Sequence, residues 1–238
     1  MDAGELLFPS RCVGCGRVLV SPGVSVPVCS ACVGKLLSQR VNAFAVARCR
    51  MCGIELVSEQ SVCTRCRDRA MHFDLHRSLF YYAGLARTLV NAFKFQRQVR
   101  LARLFADLLA ESCREADISA PLCPIPAHPW NRRRRGFSTA DRLVRCMKTR
   151  AGMPVVRILG RRISRQQKAL DYSARKANVE GMFTLRTGYP SSHLARRLER
   201  VVLVDDVFTT GATVSECARV LKGAGVKFVG VVTLAMEL

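Results

Sequence analysis

The chain from about residue 71 onward shows strand-like and helix-like patterns in turn. The stretches "LARTLVNAFKF" and "VRLARLFADLLAES" have helical spacing, and in the second four apolar residues recur at i, i+3, i+4 and i+7, which gives one apolar face. These four are Leu101, Leu104, Phe105 and Leu108. The stretch "STADRLVRCMKTRAG" predicts a further helix, with Ser138 or Thr139 as its N-cap and Gly152 at its end.

Short apolar runs between the helices predict the strands. They are "MHFDLHRSLFYYAG", "APLCPIPAH", "VVRIL", "MFTL", "VVLVDD" and "FVGVVTLAM". The first is a strand or a hairpin, the second ends in a proline-stiffened turn, and the last two flank the helical stretch "TVSECARVLKGAG". Strands that alternate with helices predict a parallel α/β sheet. The polar stretch "SRQQKALDYSARKANVEG" predicts a mobile loop.

The first 70 residues differ from the rest, with little helical period and four Cys-x-x-Cys pairs. The eight cysteines are Cys12, Cys15, Cys29, Cys32, Cys49, Cys52, Cys63 and Cys66. Two such pairs can surround one ion with four thiolates, the tetrahedral shell of structural zinc. We therefore predict a double zinc-ribbon module over residues 1–70 and a second domain over residues 71–238. A closed shell of four cysteines leaves no open position, so both Zn²⁺ ions are expected to be structural.

The spacing leaves the pairing of these cysteines open. Neighbouring pairs give one site from residues 12–32 and another from residues 49–66, but the sixteen-residue gap also fits a crossed arrangement. Disulfides or free structural thiols are the alternative to metal. The other cysteines stand alone and are expected to pack in the core. These are Cys113, Cys123, Cys146 and Cys217.

Positive charge is concentrated in the middle of the chain. The net charge is +20, and residues 121–200 hold 19 Lys and Arg against 4 Asp and Glu, a net charge of +15. Such a stretch favours polyanions, either phosphate-rich small molecules or nucleic acid, although a solvated basic surface is the plain alternative. No run of about 18 uncharged apolar residues and no signal-peptide pattern is present, so we expect a cytoplasmic protein without membrane insertion.

Two adjacent acids, Asp205 and Asp206, follow the apolar run in "VVLVDDVFTTGAT". The ends of parallel strands face the ligand crevice, so both carboxylates are expected to arrive there together. Adjacent carboxylates repel, and sugar hydroxyls, Mg²⁺ or arginines would share their charge. Gly211 lets the backbone approach a ligand, and the amides at the start of the next helix favour a phosphate. The combination predicts a ribose 5-phosphate as ligand.

This string resembles the phosphoribosyl-pyrophosphate (PRPP) motif of type I phosphoribosyltransferases. The resemblance implies that Asp205 and Asp206 are the catalytic acids that bind the ribose hydroxyls, with Mg²⁺ bound beside PRPP, and that the next loop binds the 5-phosphate. That loop consists of Thr209, Thr210, Gly211, Ala212 and Thr213. Together with the cysteine pairs, the whole chain resembles the ComF family of competence-associated proteins. This implies a type I phosphoribosyltransferase core, a parallel sheet flanked by helices, joined to a small N-terminal four-cysteine zinc-ribbon module.

The same resemblance assigns roles to three further stretches. "PIPAH" is similar to the loop that receives pyrophosphate, and the arginines behind it would add charge-assisted contacts. The candidates here are Pro126, Ala127, His128, Arg132 and Arg135. "SARKANVEGMF" resembles the flexible hood that closes over PRPP, with Arg175, Lys176 and Asn178 as its candidates. Lys94 matches a lysine of the family and is either a phosphate contact or an exposed helix residue.

The chain departs from the family pattern at Ser138 and Thr139, where an Asn-Gln pair is usual, and at Ala169, where glycine is usual. A contact made by those amides is therefore expected to be changed or lost. Two functions stay open: an enzyme that transfers ribose 5-phosphate from PRPP to an unknown acceptor, or a non-catalytic protein that senses PRPP or binds single-stranded DNA. Proteins of the competence machinery are expected partners. The cysteine module interleaves few aromatic residues with basic ones, so no base-stacking platform is evident there.

Overall fold

The structure, a computed structural model, describes residues 10–19, 25–41, 47–58, 61–162, 179–188 and 198–237. In these ranges the helices are α1 Ser30–Ser38, α2 Thr64–Arg67, α3 Gly84–Phe95, α4 Leu101–Glu115, α5 Pro129–Arg135, α6 Thr139–Ala151 and α7 Ala212–Gly223. The strands are β1 Leu75–Tyr81, β2 Leu122–Pro124, β3 Leu159–Arg161, β4 Phe183–Leu185, β5 Arg200–Phe208 and β6 Phe228–Met236. The expected alternation of strands and helices is confirmed.

Four strands form one parallel sheet in the order β1-β6-β5-β2. The central strands β5 and β6 are nearly continuous apolar runs because both of their faces are covered, as is usual for parallel sheets. Strands β3 and β4 form a separate antiparallel ribbon. The sheet therefore has the predicted parallel α/β architecture.

Helices cover both faces of the sheet, and this arrangement positions the site. On one face α3, α4 and α6 pack through residues such as Phe93, Phe105 and Leu143, and on the other α7 packs through residues such as Val214 and Leu221. Strands β2 and β5 are neighbours, yet the chain goes from β2 to α6 on one face and from β5 to α7 on the other. Such a divergence opens a crevice beyond the carboxyl ends of the two strands.

The cysteine-rich region packs on this core at two places. Helix α1 contacts α3, and Gly14 lies beside Leu85 at the start of α3. Further along, Gly53 lies against His76 of β1 and Met236 of β6. None of the helices in the described ranges has the length and apolar character that crossing a lipid bilayer requires.

Helix α6 has the predicted ends, whereas two other elements differ from expectation. The hydroxyl of Ser138 accepts the amide of Asp141 at 3.2 Å, and Gly152 ends α6 with a φ of +67°. Of "VVRIL", Val155 forms an isolated bridge and only the last residue, Leu159, belongs to a strand, β3. The arginine run, to which the sequence analysis assigns no element, forms α5, because proline at its first position fits a helix start.

Candidate functional site

The acidic pair lies where β5 loses one of its two neighbours. Strand β2 pairs only with Val202, Leu203 and Val204 of β5, and a last amide bond joins Ile125 to the carbonyl of Val204 at 3.1 Å. Strand β5 then continues beside β6 as far as Phe208. We expected the pair at positions 205 and 206 to end its strand. It lies instead within β5, at the point where the β2–β5 crevice opens.

Asp206 is held by side chains from three different helices. Its Oδ1 accepts a hydrogen bond from Lys94 Nζ of α3 at 2.9 Å, and its Oδ2 accepts one from Thr139 Oγ1 of α6 at 2.7 Å. Arg135 Nη1 of α5 lies 3.7 Å from the same Oδ2. Asp206 is 8% exposed, so this charge is compensated by protein groups rather than by water. Lys94 thus contacts an acid of the site instead of standing on an exposed helix face.

Asp205 leaves the strand on the opposite face, because successive side chains of a strand point to opposite sides. Its Oδ1 accepts the amide of Asp206 at 2.8 Å. Burial, together with the negative charge of Asp206, raises the pKa of Asp205 to about 7, while Lys94 and Arg161 oppose the shift. The two acids are adjacent in the crevice but face different layers of the fold. Asp205 is the one without a side-chain cation in hydrogen-bond contact among the described residues.

The Thr/Gly turn, residues 209–213, connects β5 to α7 and is called the phosphate loop below. Gly211 is the N-cap of α7 and has a φ of +78°, a conformation that favours glycine. The amide of Ala212 donates to Thr210 Oγ1 at 3.2 Å, so this amide is engaged inside the loop. The positive end of the α7 dipole lies at the loop and favours a bound anion.

His128 lies at the tip of "PIPAH", at the carboxyl end of β2, with Pro126 and Ala127 before it. The ring Nδ1 of His128 accepts the amide of Trp130 at 3.2 Å and caps α5. Burial lowers the pKa of His128, and the charge of Arg161 lowers it further. The tip that follows β2 and the acids of β5 thus lie at the same crevice.

Arg161 is a site residue that the sequence analysis missed. It ends β3, and its guanidinium lies 5.1 Å from the ring centre of Phe183. Among the described residues its buried Nε has no hydrogen-bond partner, and its charge acts on both Asp205 and His128. A half-buried cation without an ion-pair partner among the described residues suits an anionic ligand. The signal in the sequence was weak, since Arg161 is one of many arginines in a basic stretch.

Of the remaining candidate residues, the structure places some in the crevice and others outside it. Arg135 reaches Asp206, whereas Arg132 is exposed on the surface of α5. The hood candidates lie outside the described residues; they are Arg175, Lys176 and Asn178. The departure at Ser138 and Thr139 now has a physical account: Ser138 caps α6, and Thr139 donates to Asp206.

The eight N-terminal cysteines form two clusters of four. The first cluster is Cys12, Cys15, Cys29 and Cys32, and the second cluster is Cys49, Cys52, Cys63 and Cys66. Within each cluster all sulfurs lie within 4.8 Å of one another, and the Cys15–Cys29 and Cys52–Cys63 sulfur distances are 3.7 Å. A tetrahedral zinc–thiolate site has sulfurs about 3.8 Å apart, since Zn–S bonds are about 2.3 Å. Both clusters could hold a metal ion; the neighbouring pairing is confirmed and the crossed pairing is wrong.

Backbone amides stabilise the thiolate of one cysteine in each cluster, Cys12 and Cys49. Burial alone would raise the pKa of Cys12, but amide hydrogen bonds from residues such as Cys29 and Gly14 outweigh it and lower the pKa to about 6. The pKa of Cys49 is likewise lowered to about 7 by amides of the second cluster, against the effect of burial. Thiolates are the form that binds metal, so these two residues favour ion binding near neutral pH.

The chain is similar to several known proteins. The model of the phosphoribosyl transferase domain family matches residues 134–237. Competence protein F of Haemophilus influenzae is 27% identical over 96% of this chain and 97% of its own, and DNA utilization protein YhgH of Salmonella typhi is 30% identical over 89% and 91%. A purine phosphoribosyltransferase structure from Pyrococcus horikoshii Ot3 aligns with 56% of this chain and 70% of its own, at 20% identity and a TM-score of 0.30.

The sequence matches extend over most of the chain. They cover nine-tenths or more of each relative's length, so the likeness concerns the whole chain rather than the phosphoribosyl transferase domain alone. The four-cysteine clusters, the parallel sheet and the acid pair before the phosphate loop agree with it. The chain therefore belongs to the ComF family, in which a phosphoribosyltransferase domain follows a cysteine-rich N-terminal region.

Proposed function

We propose that the chain binds PRPP together with Mg²⁺ in the β2–β5 crevice and acts as a phosphoribosyltransferase on an acceptor that the sequence does not identify. The observation that carries the proposal is the convergence, at one topological switch point, of two acids, the phosphate loop and the "PIPAH" tip. The 5-phosphate would bind at the phosphate loop and the ribose hydroxyls at Asp205, whereas Asp206 lies on the opposite face of the strand and is held by Lys94 and Thr139.

The leaving pyrophosphate would bind on the β2 side of the crevice. There the charge of Arg161 is close enough to lower the pKa of His128, and Arg161 lacks an ion-pair partner among the described residues. Transfer breaks the bond between the anomeric carbon and pyrophosphate and forms a bond from that carbon to the acceptor, which loses a proton. Cations and preorganised amides lower the barrier by stabilising the charge that accumulates on the leaving group.

The residues present fit Mg²⁺ at one position. Carboxylate oxygens are ligands that Mg²⁺ prefers, usually together with substrate phosphates and water. Both oxygens of Asp206 are engaged by Lys94 and Thr139, so Asp205 is the residue that would contact the ion. When bound, Mg²⁺ neutralises charge on the pyrophosphate and thereby favours its departure. The cysteine clusters would each hold one structural Zn²⁺.

Calorimetric titration with PRPP and Mg²⁺ tests this proposal. We expect Asp205→Asn to weaken binding tenfold or more, since a hydrogen bond to a charged group contributes about 1.5–3 kcal/mol. The affinity of the unsubstituted protein should rise from pH 6 to pH 8, because a pKa of about 7 means that the ligand competes with a proton on Asp205 at the lower pH. The substitution should remove this rise.

The control for this titration is Asp107→Asn, because Asp107 forms an ion pair with Arg150 on the surface, away from the crevice. It should leave both affinity and pH dependence unchanged. Failure of the unsubstituted protein to bind PRPP at either pH would overturn the proposal. If PRPP does bind, pyrophosphate release in the presence of screened nucleophiles would identify the acceptor and distinguish an enzyme from a PRPP sensor.

A second candidate function, binding of single-stranded DNA, is favoured by one surface. We call it the aromatic–arginine patch: Phe95, Trp130, Arg132, Arg133 and Arg134. The side chain of Trp130 is 59% exposed and that of Phe95 is 50% exposed. The guanidinium of Arg134 lies 4.8 Å from the Trp130 ring centre and 5.5 Å from that of Phe95. Exposed rings among arginines suit stacking of unpaired bases along a phosphate backbone.

This patch supplies the stacking platform that was not evident in the cysteine module, and the two rings come from different helices. Phe95 ends α3 and Trp130 belongs to α5. Arg135, which reaches Asp206, also lies 4.8 Å from the ring centre of Phe95. A strand on the patch would therefore pass the mouth of the crevice. Competence-machinery proteins as partners stay a prediction from the family resemblance.

Fluorescence anisotropy with a labelled single-stranded oligonucleotide tests the second function. We expect Trp130→Ala to weaken binding about tenfold, since stacking contributes about 1–3 kcal/mol per base, and Trp130→Phe to retain most of it. Trp130 is the single tryptophan of the chain, so its own fluorescence should be quenched on binding. Removing Arg132 and Arg133 should lower the salt dependence instead. Equal affinity of the Trp130→Ala variant would exclude the patch.

A further inference from the structure

The second cluster packs against strands β1 and β6, beside the strand that carries the phosphate loop. After Cys52 the chain turns at Gly53, with a φ of +80°. A methyl group at Gly53 would lie 3.3 Å from Met236 Sδ of β6 and 3.4 Å from His76 Nδ1 of β1. The amide of His76 also donates to the carbonyl of Arg50 at 2.7 Å, inside the same turn. The turn between Cys49 and Cys52 is thus packed directly on the sheet.

His76 extends this contact to the loop. Its ring is fully buried, and a hydrogen bond of 2.9 Å between Nε2 and Thr233 Oγ1 fixes its orientation. The ring stacks on Phe208, with ring centres 4.1 Å apart and planes inclined by 18°. Phe208 in turn fills the space beneath the loop, since a methyl group at Gly211 would lie 2.7 Å from its Cζ. A continuous row of contacts therefore joins the second cluster to Gly211.

The first cluster has no comparable position. Its turn packs at Gly14 against Leu85, at the start of α3, and Cys12 and Cys32 belong to the apolar core on that face of the sheet. The phosphate loop precedes α7, which packs on the other face. The two clusters have the same ligands, but the first packs against helix α3 and the second against the strands beside the phosphate loop.

We propose that the second cluster positions the phosphate loop through His76 and Phe208, so that the loop binds phosphate well only when this cluster holds its metal. The inference rests on the proposed role of the loop as the PRPP phosphate site. Protein interiors are close-packed, so a turn that loses its ion and shifts moves the rings stacked behind it. His76 is a positioning residue in this scheme, because it acts on the ligand only through Phe208.

Two matched substitutions in the full chain test the proposal: Cys63→Ser in the second cluster and Cys29→Ser in the first. Each residue is the N-cap of a helix, α2 or α1, and each sulfur lies 3.7 Å from a cysteine of the preceding pair. Each variant is measured for bound zinc, for amide hydrogen exchange of residues 209–213 without ligand, and for PRPP affinity by calorimetry.

We expect both variants to lose one of two zinc ions. Cys63→Ser should also accelerate exchange in the loop and weaken PRPP binding about tenfold, within the usual range of coupling between sites. Cys29→Ser should leave loop exchange unchanged. Equal changes in both variants, or none in Cys63→Ser after zinc loss, would contradict the proposal. If the unsubstituted protein binds no PRPP, the proposed function fails, yet the exchange measurement still tests the contact between cluster and loop.

Substitution of His76 keeps the test decisive if Cys63→Ser does not fold. Both His76→Ala and His76→Phe leave all eight cysteines in place and should retain two zinc ions. His76→Ala removes the ring that stacks on Phe208 and should weaken PRPP binding, while His76→Phe restores a stacking ring and should recover most of the affinity. Unchanged PRPP affinity and loop exchange in His76→Ala would overturn the role of this residue.

Discussion

Gly211→Ala is expected to abolish phosphate binding at the loop and to lower the free energy of unfolding by about 2–5 kcal/mol. The backbone at Gly211 has a φ of +78°, which an L side chain adopts only at a cost. In addition, the new Cβ would lie 2.7 Å from Phe208 Cζ, closer than real Cβ contacts occur, and 3.1 Å from Met71 Cε, which is tighter than most. The loop must therefore move away from the ring, and its amides lose their alignment with the phosphate.

Gly223→Ala in the same helix is the matched control for this substitution. Gly223 is the last residue of α7, and nothing lies within 4 Å of a Cβ placed there. The Gly223→Ala substitution should stabilise the protein slightly, by up to about 1 kcal/mol, because alanine favours a helix more than glycine does. Urea unfolding in the presence of zinc measures the change in the free energy of unfolding, and calorimetry measures the change in PRPP affinity. Retained PRPP affinity in Gly211→Ala would show that the loop is not the phosphate site.

Asp206→Ala is expected to destabilise the protein by about 3 kcal/mol or more. It leaves Lys94 and Arg135 without their carboxylate and Thr139 without its acceptor, in a site whose side chains are no more than 14% exposed. Removing one partner of a buried ion pair costs about 3–5 kcal/mol, because the other charge remains desolvated. The variants Asp206→Asn and Lys94→Met, with their double substitution, should give a coupling energy of about 1–3 kcal/mol.

The ion pair between Arg150 and Asp107 is the control for this cycle. It has two hydrogen bonds of 2.6 Å, shorter than that between Lys94 and Asp206, but its side chains are about half exposed. Exposed pairs contribute at most about 1 kcal/mol, since water screens them and ordering the side chains costs entropy. A coupling energy for Lys94 and Asp206 no larger than that of the surface pair would refute the view that burial decides their strength.

Features that depend on neighbours in sequence were predictable. Spacing of cysteines identified the eight cluster residues, because a Cys-x-x-Cys turn already points two thiols at one ion. Apolar periodicity placed α4 and β6, and the caps of α6 at Ser138 and Gly152 were foreseen, since a cap is a contact between residues a few positions apart. The acid pair before the Thr/Gly turn indicated the site for the same reason.

Only the tertiary structure decided how those features are combined. Lys94 and Asp206 are 112 positions apart, and His76 and Thr233 are 157 apart, so no local pattern records their contact. The structure also chose the neighbouring cysteine pairing, separated the two acids onto opposite faces, and placed Arg161 in the crevice. Such contacts follow from which helices cover each face of the sheet, and packing sets that arrangement only when the whole chain is assembled.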